Sequence, residues 1–368
     1  MAELFFMANV FVALRKFFSM ALFHSLQVES VESLTSDAVK VTFGVPETLQ
    51  ADYRFNAGQY VTLKHPADDS VRRAYSICSP SHQKGNFSVG IKQIENGLFS
   101  SYANNRIKAG DTLEVMVPEG RFTYEASGKP QHIAAFASGS GITPIMSIAH
   151  AVLTGNEQST FVLVYGNRSN EDTMFLSEIQ RLEQKYTDRF FVQHLHSRSL
   201  ADGALFGRID QGTVNLIVKN KFAERSFDAF YLCGPEGMIQ TVKNTLLENG
   251  VAEDQIFFEL FTTSDTKANI QRGPSGSVQL KVTADFEDFE IEMPAGKNVL
   301  DTVLDADIDV SFSCKGGICS SCMARVTEGK ASMVNNQILT DSEIESGLIL
   351  TCQAHAETDT LAVDFDDV

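Results

Sequence analysis

Four of the chain's six cysteines, Cys314, Cys319, Cys322 and Cys352, follow the spacing C-x4-C-x2-C-x29-C. Thiolate sulfur is a soft donor that holds iron and stays deprotonated on it. The spacing is that of a [2Fe–2S] cluster site. Gly316 and Gly317, in "SCKGGICSSC", let a tight loop aim backbone N–H groups at the sulfurs without side chains in the way. Two other chemistries also use crowded cysteines. Zinc sites more often show two matched C-x2-C pairs, and a disulfide set needs an oxidising compartment. Six cysteines in 368 residues do not make a disulfide scaffold, so the cluster reading leads. Cys78 reads as structural.

A second group of residues could hold phosphates and flat rings. "RRAYSICSP" carries Arg73, Ala74, Tyr75 and Ser76 at the end of a strand. "GLFSSY" follows, with Gly97 opening a helix that carries Ser100 and Ser101. A helix N-terminus receives a pyrophosphate, and an arginine adds charge to the same group. Tyr75 would stack on a flat ring, with Ser76 pointing at it. In "ASGSGITPIMS", Gly139 and Gly141 lie between a strand and the helical stretch "ITPIMSIAHAVL", where bare amides suit a diphosphate, and Thr143 is expected to bind the nucleotide with them. "YLCGPEGM" places Cys233, Gly234, Pro235 and Met238 after a later strand. Arg168, and Ser197 with Arg198, end two further strands. An arginine beside a hydroxyl is what a 2′-phosphate needs, which favours NADPH and leaves NADH as the alternative. His194 and His196 share a strand face without an evident third ligand and read as structural.

These residues need elements to position them. Residues 23–126 read as short strands separated by turn signals, which means a sandwich or barrel. Residues 127–261 alternate buried strands with helical stretches, the pattern of a parallel α/β domain. Residues 262–277 are a polar linker, and residues 278–368 contain a hairpin, a short helix near "NVLDTVLDA" and the four cysteines. The net charge of −17 disfavours nucleic acid as a partner. From Gln271 to Val368 there are 18 Asp+Glu against 6 Lys+Arg, a net −12, so the last quarter carries most of the excess. Such a surface steers a partner with a basic face.

The first 22 residues stand apart. Leu4 to Phe23 is apolar at 16 of 20 positions, with Asn9, Arg15, Lys16 and Ser19 on one arc of about 120°. Charges in mid-segment argue against a spanning helix, and basic residues after the apolar ones argue against a signal peptide. Three readings stand: a helix docking on a membrane surface or partner, a helix packed on its own protein, or a segment absent from the native product, with translation starting at Met20.

The order of these motifs resembles the ferredoxin–NADP reductase superfamily. Within it, the chain is similar to the oxygenase reductases that end in a plant-type ferredoxin, the class that includes the phenylacetyl-CoA epoxidase reductase subunit. "RRAYSICS", "AGDTLEVMVPEGRF", "GSGITP", "YGNRS", "CGPEGM", "SCKGGICSSC" and "LTCQA" carry the resemblance across residues 23–368. It implies a multidomain chain: an antiparallel flavin β-barrel, an α/β parallel-sheet nucleotide domain and a C-terminal α+β ferredoxin domain of β-grasp type. It implies FAD, NAD(P)H and a [2Fe–2S] cluster. It places Ser76 near the flavin's reactive nitrogen, Cys233 by the nicotinamide's reactive carbon, and Glu259 and Phe261, in "FFELF", at the flavin edge. Glu259 would polarise the site or relay a proton. The expected acceptor is an oxygenase, with a membrane-bound desaturase or hydroxylase, and a non-turnover redox sensor, as other readings. The expected location is the cytoplasm, with residues 4–23 at the inner face of the membrane.

Overall fold

The computed structural model describes residues 23–261 and 276–368. The expectation for residues 1–22 lies outside them, as does most of the expected linker. By contacts the described residues divide into two compact units, residues 24–261 and residues 276–368.

The larger unit begins with six antiparallel strands: β1 (Phe23–Thr35), β2 (Ala38–Gly44), β3 (Tyr60–His65), β4 (Asp68–Ser76), β5 (Asn86–Lys92) and β6 (Thr112–Met116). Their order is β4-β3-β6-β1-β2-β5. Just past β4, Ile77 bridges Val89 of β5, and Cys78 N–H donates to Ser88 O at 2.8 Å, so the two edge strands meet and the sheet closes. Side chains alternate across a strand with period two. Val41, Phe43, Leu63, Phe87, Val89 and Ile91 thereby fill the interior. The helix α1 (Leu98–Asn105) packs beside this barrel, with Phe99 and Ala103 buried. β1 is mostly solvent-facing: only Leu26 and Val28 of its thirteen residues are buried.

Six parallel strands follow: β7 (His132–Ser138), β8 (Thr160–Asn167), β9 (Phe190–His196), β10 (Leu205–Phe206), β11 (Ala229–Cys233) and β12 (Ile256–Glu259). Helices α2 (Ile142–Gly155), α3 (Leu176–Lys185), α4 (Gln211–Asn215) and α5 (Glu236–Glu248) connect them. The order is β10-β9-β8-β7-β11-β12. The chain builds outward from β7 in one direction, then returns to its other side. That reversal opens a crevice at the carboxyl ends of β7 and β11, where such sheets bind ligands.

Five buried residues from the barrel side join the core of the parallel sheet. Ala38, Ala57, Cys78, Phe122 and Tyr124 pack in the same cluster as Ile145, Met146, Ile148, Met174 and Phe175. Ser147 Oγ donates to Ser79 O at 2.8 Å, and Tyr231 Oη to Thr123 O at 3.1 Å. Side chains from both sides of residues 126 and 127 therefore pack together, while the barrel keeps an interior of its own.

The smaller unit is built on the strands β13 (Val278–Ala284), β14 (Glu287–Met293), β15 (Met323–Glu328), β16 (Ala331–Met333), β17 (Leu348–Leu350), β18 (Ala354–Ala356) and β19 (Thr360–Asp364). Five of them form a mixed sheet in the order β14-β13-β19-β15-β17, and β16 pairs with β18. The β13–β14 hairpin turns through Asp285 and Phe286, both at positive φ (54° and 59°), as a primed turn requires. Helix α6 (Val299–Asp305) is capped by Asn298, whose side chain accepts from Asp301 N–H. It buries Val299, Leu300 and Val303 against the sheet, as the β-grasp expectation requires. A short helix α7 (Asp341–Glu345) precedes β17. Among the described residues no helix is long and apolar enough to cross a membrane.

Candidate active site and metal centre

β7 passes directly into the turn Gly139–Gly141 and then α2. Gly139 sits at φ +55°, in the left-handed region. Gly141 has ordinary φ, but a Cβ there would overlap the carbonyl oxygen of Cys233. The two glycines form the floor of a cavity of about 620 Å³ at the switch between β7 and β11. Arg168, Ser197, Gly234, Pro235 and Met238 also line it, so seven of the residues expected at the nucleotide converge, joined by Phe261, which was expected at the flavin edge. Three are off the lining: Cys233, whose carbonyl backs Gly141, Arg198 and Thr143. Arg198 is exposed and off the lining; its backbone N–H donates to Arg168 O at 2.9 Å. Thr143 is 2% exposed and donates through Oγ1 to Ser140 O at 3.0 Å. It holds the turn and does not reach the cavity.

The cavity also contains residues that the sequence did not single out: Lys92, Asn167 and Arg208. Lys92 closes β5 and pairs with Asp37 at 3.5 Å; one lysine in a strand carries no signal. Arg208 follows the two-residue β10, too short to be read from a pattern. Lys92, Arg168 and Arg208 around bare glycines suit a nucleotide's phosphates. Among the described residues Asn167 Nδ2, in the cavity wall, is buried without a hydrogen-bond acceptor, a donor that such a ligand could satisfy. His194, by contrast, is held down to about 4 by burial, so it is neutral and fits a structural role.

Beside the crevice, residues of the two topologies meet. Ser76 at the end of β4 donates through Oγ to Glu259 Oε2 at 3.2 Å. Glu259 ends β12 and pairs in register with Cys233, which pairs on its other side with Ala137. Ser76, Glu259 and Cys233 are all buried. Burial holds the Glu259 carboxyl up to about 8, against the opposing pull of the Ser76 bond. Burial first, and the charge of Glu259 second, push the Cys233 thiol well up. Both groups are therefore proton-carrying near neutrality.

This has a consequence for pH. Between the usual 4.5 and about 8, the folded chain keeps the Glu259 proton that the unfolded chain has lost. Stability then falls as pH rises through that window. Glu259→Gln is expected to flatten this fall, read as Tm against pH from 5 to 9, and to remove any limb near pH 8 from the turnover profile. An unchanged Tm profile would show that Glu259 is ionised in the fold.

The flavin-side residues fit their group in part. Gly97 caps α1 without a side chain, leaving its first amides open to an anion. Ser100 Oγ accepts from Ile94 N–H at 3.2 Å, and Ser101 Oγ from Gln93 Nε2 at 3.4 Å. The hydroxyls thus brace the turn, and the amides face outward as donors. Tyr75 lies 5.5 Å from Phe99 of α1, centroid to centroid, which brings the "RRAYS" strand alongside this helix. Arg73 is exposed, its guanidinium donating to Arg72 O at 2.7 Å, and Ala74 is half-buried between Arg73 and Tyr75.

In the smaller unit the four cysteines group two by two. Cys314 interacts with Cys319, and Cys322 with Cys352. Among the described residues no three such ligands close around one metal position. A binuclear cluster takes two thiolates per iron, so paired sulfurs suit it better than a tetrahedral zinc cage. The Cys319 bond pulls the Cys314 thiol down, helped by the backbone amides of Gly316, Ile318 and Cys319; the Cys322 bond does the same for Cys352. Gly316 N–H donates to Cys314 Sγ at 3.3 Å. Gly317, at φ +75°, passes so close to Asn335 that a Cβ would lie 2.6 Å from its carbonyl oxygen. The loop fits the group.

Comparisons with known proteins agree with this geometry. The family described as oxidoreductase FAD-binding domain matches residues 25–124, oxidoreductase NAD-binding domain residues 136–244, and 2Fe-2S iron-sulfur cluster binding domain residues 282–357. The chain is 39% identical over 355 residues to a subunit of the 1,2-phenylacetyl-CoA epoxidase of Escherichia coli, covering 94% of this chain and 99% of that protein. It is 31% identical over 352 residues to the ferredoxin reductase component of 3-ketosteroid-9-alpha-monooxygenase from Rhodococcus rhodochrous, covering 92% and 96%. Among solved structures, phthalate dioxygenase reductase superposes with a TM-score of 0.60 at 25% identity, over 93% of this chain and 98% of that one.

Proposed function

The chain belongs to the oxygenase reductases of the ferredoxin–NADP reductase type, and from that premise we propose that it carries electrons from NADPH, through FAD and a [2Fe–2S] cluster, to an oxygenase component. The observation that carries this reading is the meeting of Ser76, from the barrel, with Glu259 beside Cys233, from the parallel sheet. This meeting of the two topologies supports a flavin and a nicotinamide in contact there. When bound, FAD accepts electrons in pairs from the nicotinamide and releases them singly to the cluster.

The residues supply position and protons. Arg73 and the amides of α1 would hold the flavin's diphosphate, with Tyr75 against its ring. Ser76 Oγ would orient the reacting edge while Glu259 holds a proton at its carboxyl, and buried Cys233 would present an uncharged thiol to the nicotinamide. Gly139 and Gly141 would admit the nucleotide's diphosphate. Arg168, Ser197 and Arg208 would meet the 2′-phosphate, Arg208 taking the place that the sequence pattern assigns to Arg198. Cys314 and Cys319 would hold one iron, and Cys322 and Cys352 the other. The protein would work in the cytoplasm. The amphipathic stretch 4–23 would let it sit at the membrane's inner face if the acceptor is a membrane-bound desaturase or hydroxylase.

Steady-state turnover with NADPH and cytochrome c tests the proposal; its absence in the fully loaded protein would leave a redox sensor. In the same assay Arg208→Ala is expected to raise KM for NADPH about 10- to 100-fold, the worth of one charge-assisted hydrogen bond, with kcat and the NADH reaction little changed. An equal rise for both nucleotides would remove the 2′-phosphate role.

A further inference from the structure

Buried hydroxyls near the cysteines have partners, with one exception. Thr351 Oγ1 donates to Cys322 O at 2.8 Å, and Thr302 Oγ1 to Asn298 O at 2.8 Å. Ser313 is 2% exposed, and its Oγ has no hydrogen-bond partner among the described residues. Leaving a buried hydroxyl unsatisfied is costly, and native structures seldom do so. Ser313 immediately precedes Cys314 at the entry to the cluster loop. The nearby loop carbonyls already have donors. Lys315 O accepts from Gln353 Nε2 at 3.0 Å, Gly316 O from Asn335 Nδ2 at 2.8 Å, and Gly317 O from Gln337 N–H at 3.0 Å. The loop is built around sulfur, which already accepts from Gly316 N–H at Cys314; the Ser313 hydroxyl has yet to meet an acceptor.

We propose that Ser313 Oγ donates a hydrogen bond to a sulfur at the Cys314 end of the bound [2Fe–2S] cluster and thereby raises its reduction potential. The inference rests on the four-cysteine reading. Cluster potentials respond to hydrogen bonds to the sulfurs. Reduction adds one electron to the cluster and makes its sulfurs stronger acceptors, so a donor binds the reduced state more tightly than the oxidised one. Ser313 would then be a positioning and tuning residue at the point where electrons leave the chain.

The test is a redox titration of the full-length protein, followed by visible absorbance and by the electron paramagnetic resonance signal of the dithionite-reduced cluster. Ser313→Ala is expected to retain its cluster and to disfavour reduction about tenfold, a shift of about 59 mV to more negative potential for one electron. The flavin's potential should stay unchanged. Ser313→Thr, which keeps the hydroxyl, should recover most of the shift. A potential equal to or above the wild type's in Ser313→Ala overturns the proposal, as does an alanine protein that cannot hold a cluster. Wild-type protein without a [2Fe–2S] signal would instead overturn the cysteine reading itself, so the two failures are distinguishable.

Discussion

Cys314→Ser is expected to cut NADPH-dependent reduction of cytochrome c or of an oxygenase by about a hundredfold or more, while ferricyanide reduction by the flavin stays within about twofold of wild type. Even the groups behind metal ligands typically change affinity or activity 10- to 100-fold when mutated, and a ligand itself should exceed that. Serine offers a hard oxygen where iron prefers sulfur. The substitution also removes the partner that Cys319 meets within its pair. The ferredoxin core, built from residues 278–365, does not include Cys314, so the fold should persist without it. The larger unit keeps Ser76, Cys233 and Glu259 intact, and ferricyanide can take electrons from the flavin directly. If both activities vanished together in a folded, flavin-loaded variant, the assigned electron route would be wrong.

The second large effect is expected at Gly141. Its absent Cβ is the space occupied by the Cys233 carbonyl oxygen. That oxygen belongs to backbone fixed by register between β7 and β12, so it cannot swing aside. Overpacking usually costs about 1–3 kcal/mol, and a clash between two backbones belongs at or above the upper end. Gly141→Ala is therefore expected to lose about 3 kcal/mol, or roughly 6–12 °C in Tm of the larger unit, with loss of NADPH-driven flavin reduction. The ferredoxin's spectrum should be preserved. Gly139→Ala supplies the contrast. Nothing lies within 4 Å of a Cβ there, so only the strain of its φ of +55° remains, about 1 kcal/mol. Equal losses at both positions, followed by differential scanning calorimetry, would show that strain and not the Cys233 contact governs this turn.

What the sequence made legible follows from how local each signal is. Three of the four cluster cysteines lie within nine positions, and their pattern names the metal before any fold is known. The glycines of "ASGSGITP" are equally local, although only the structure shows that Gly139 is needed for its φ and Gly141 for a neighbour. The Ser76–Glu259 bond spans 183 positions, and the resemblance alone brought those residues together beforehand. Arg198 looked right because it follows a strand and a serine. The cavity is lined instead by Arg208, which enters from β10, an edge strand paired over two residues. Thr143 sits at the expected place in the chain, but helix periodicity turns it towards Gly90 of the barrel and away from the cavity.

The shared core bears on how such reductases can be recombined. Ala38, Ala57, Cys78, Phe122 and Tyr124 complete a cluster whose other buried members come from residues 133–233. A chimera joined between residues 126 and 127 would have to match a foreign surface to all of these at once. The 278–365 cluster contains no residue from the larger unit. The natural unit of exchange is thus the flavin and nucleotide halves together as one cassette, with the ferredoxin as the separable plug that can be refitted to a new oxygenase.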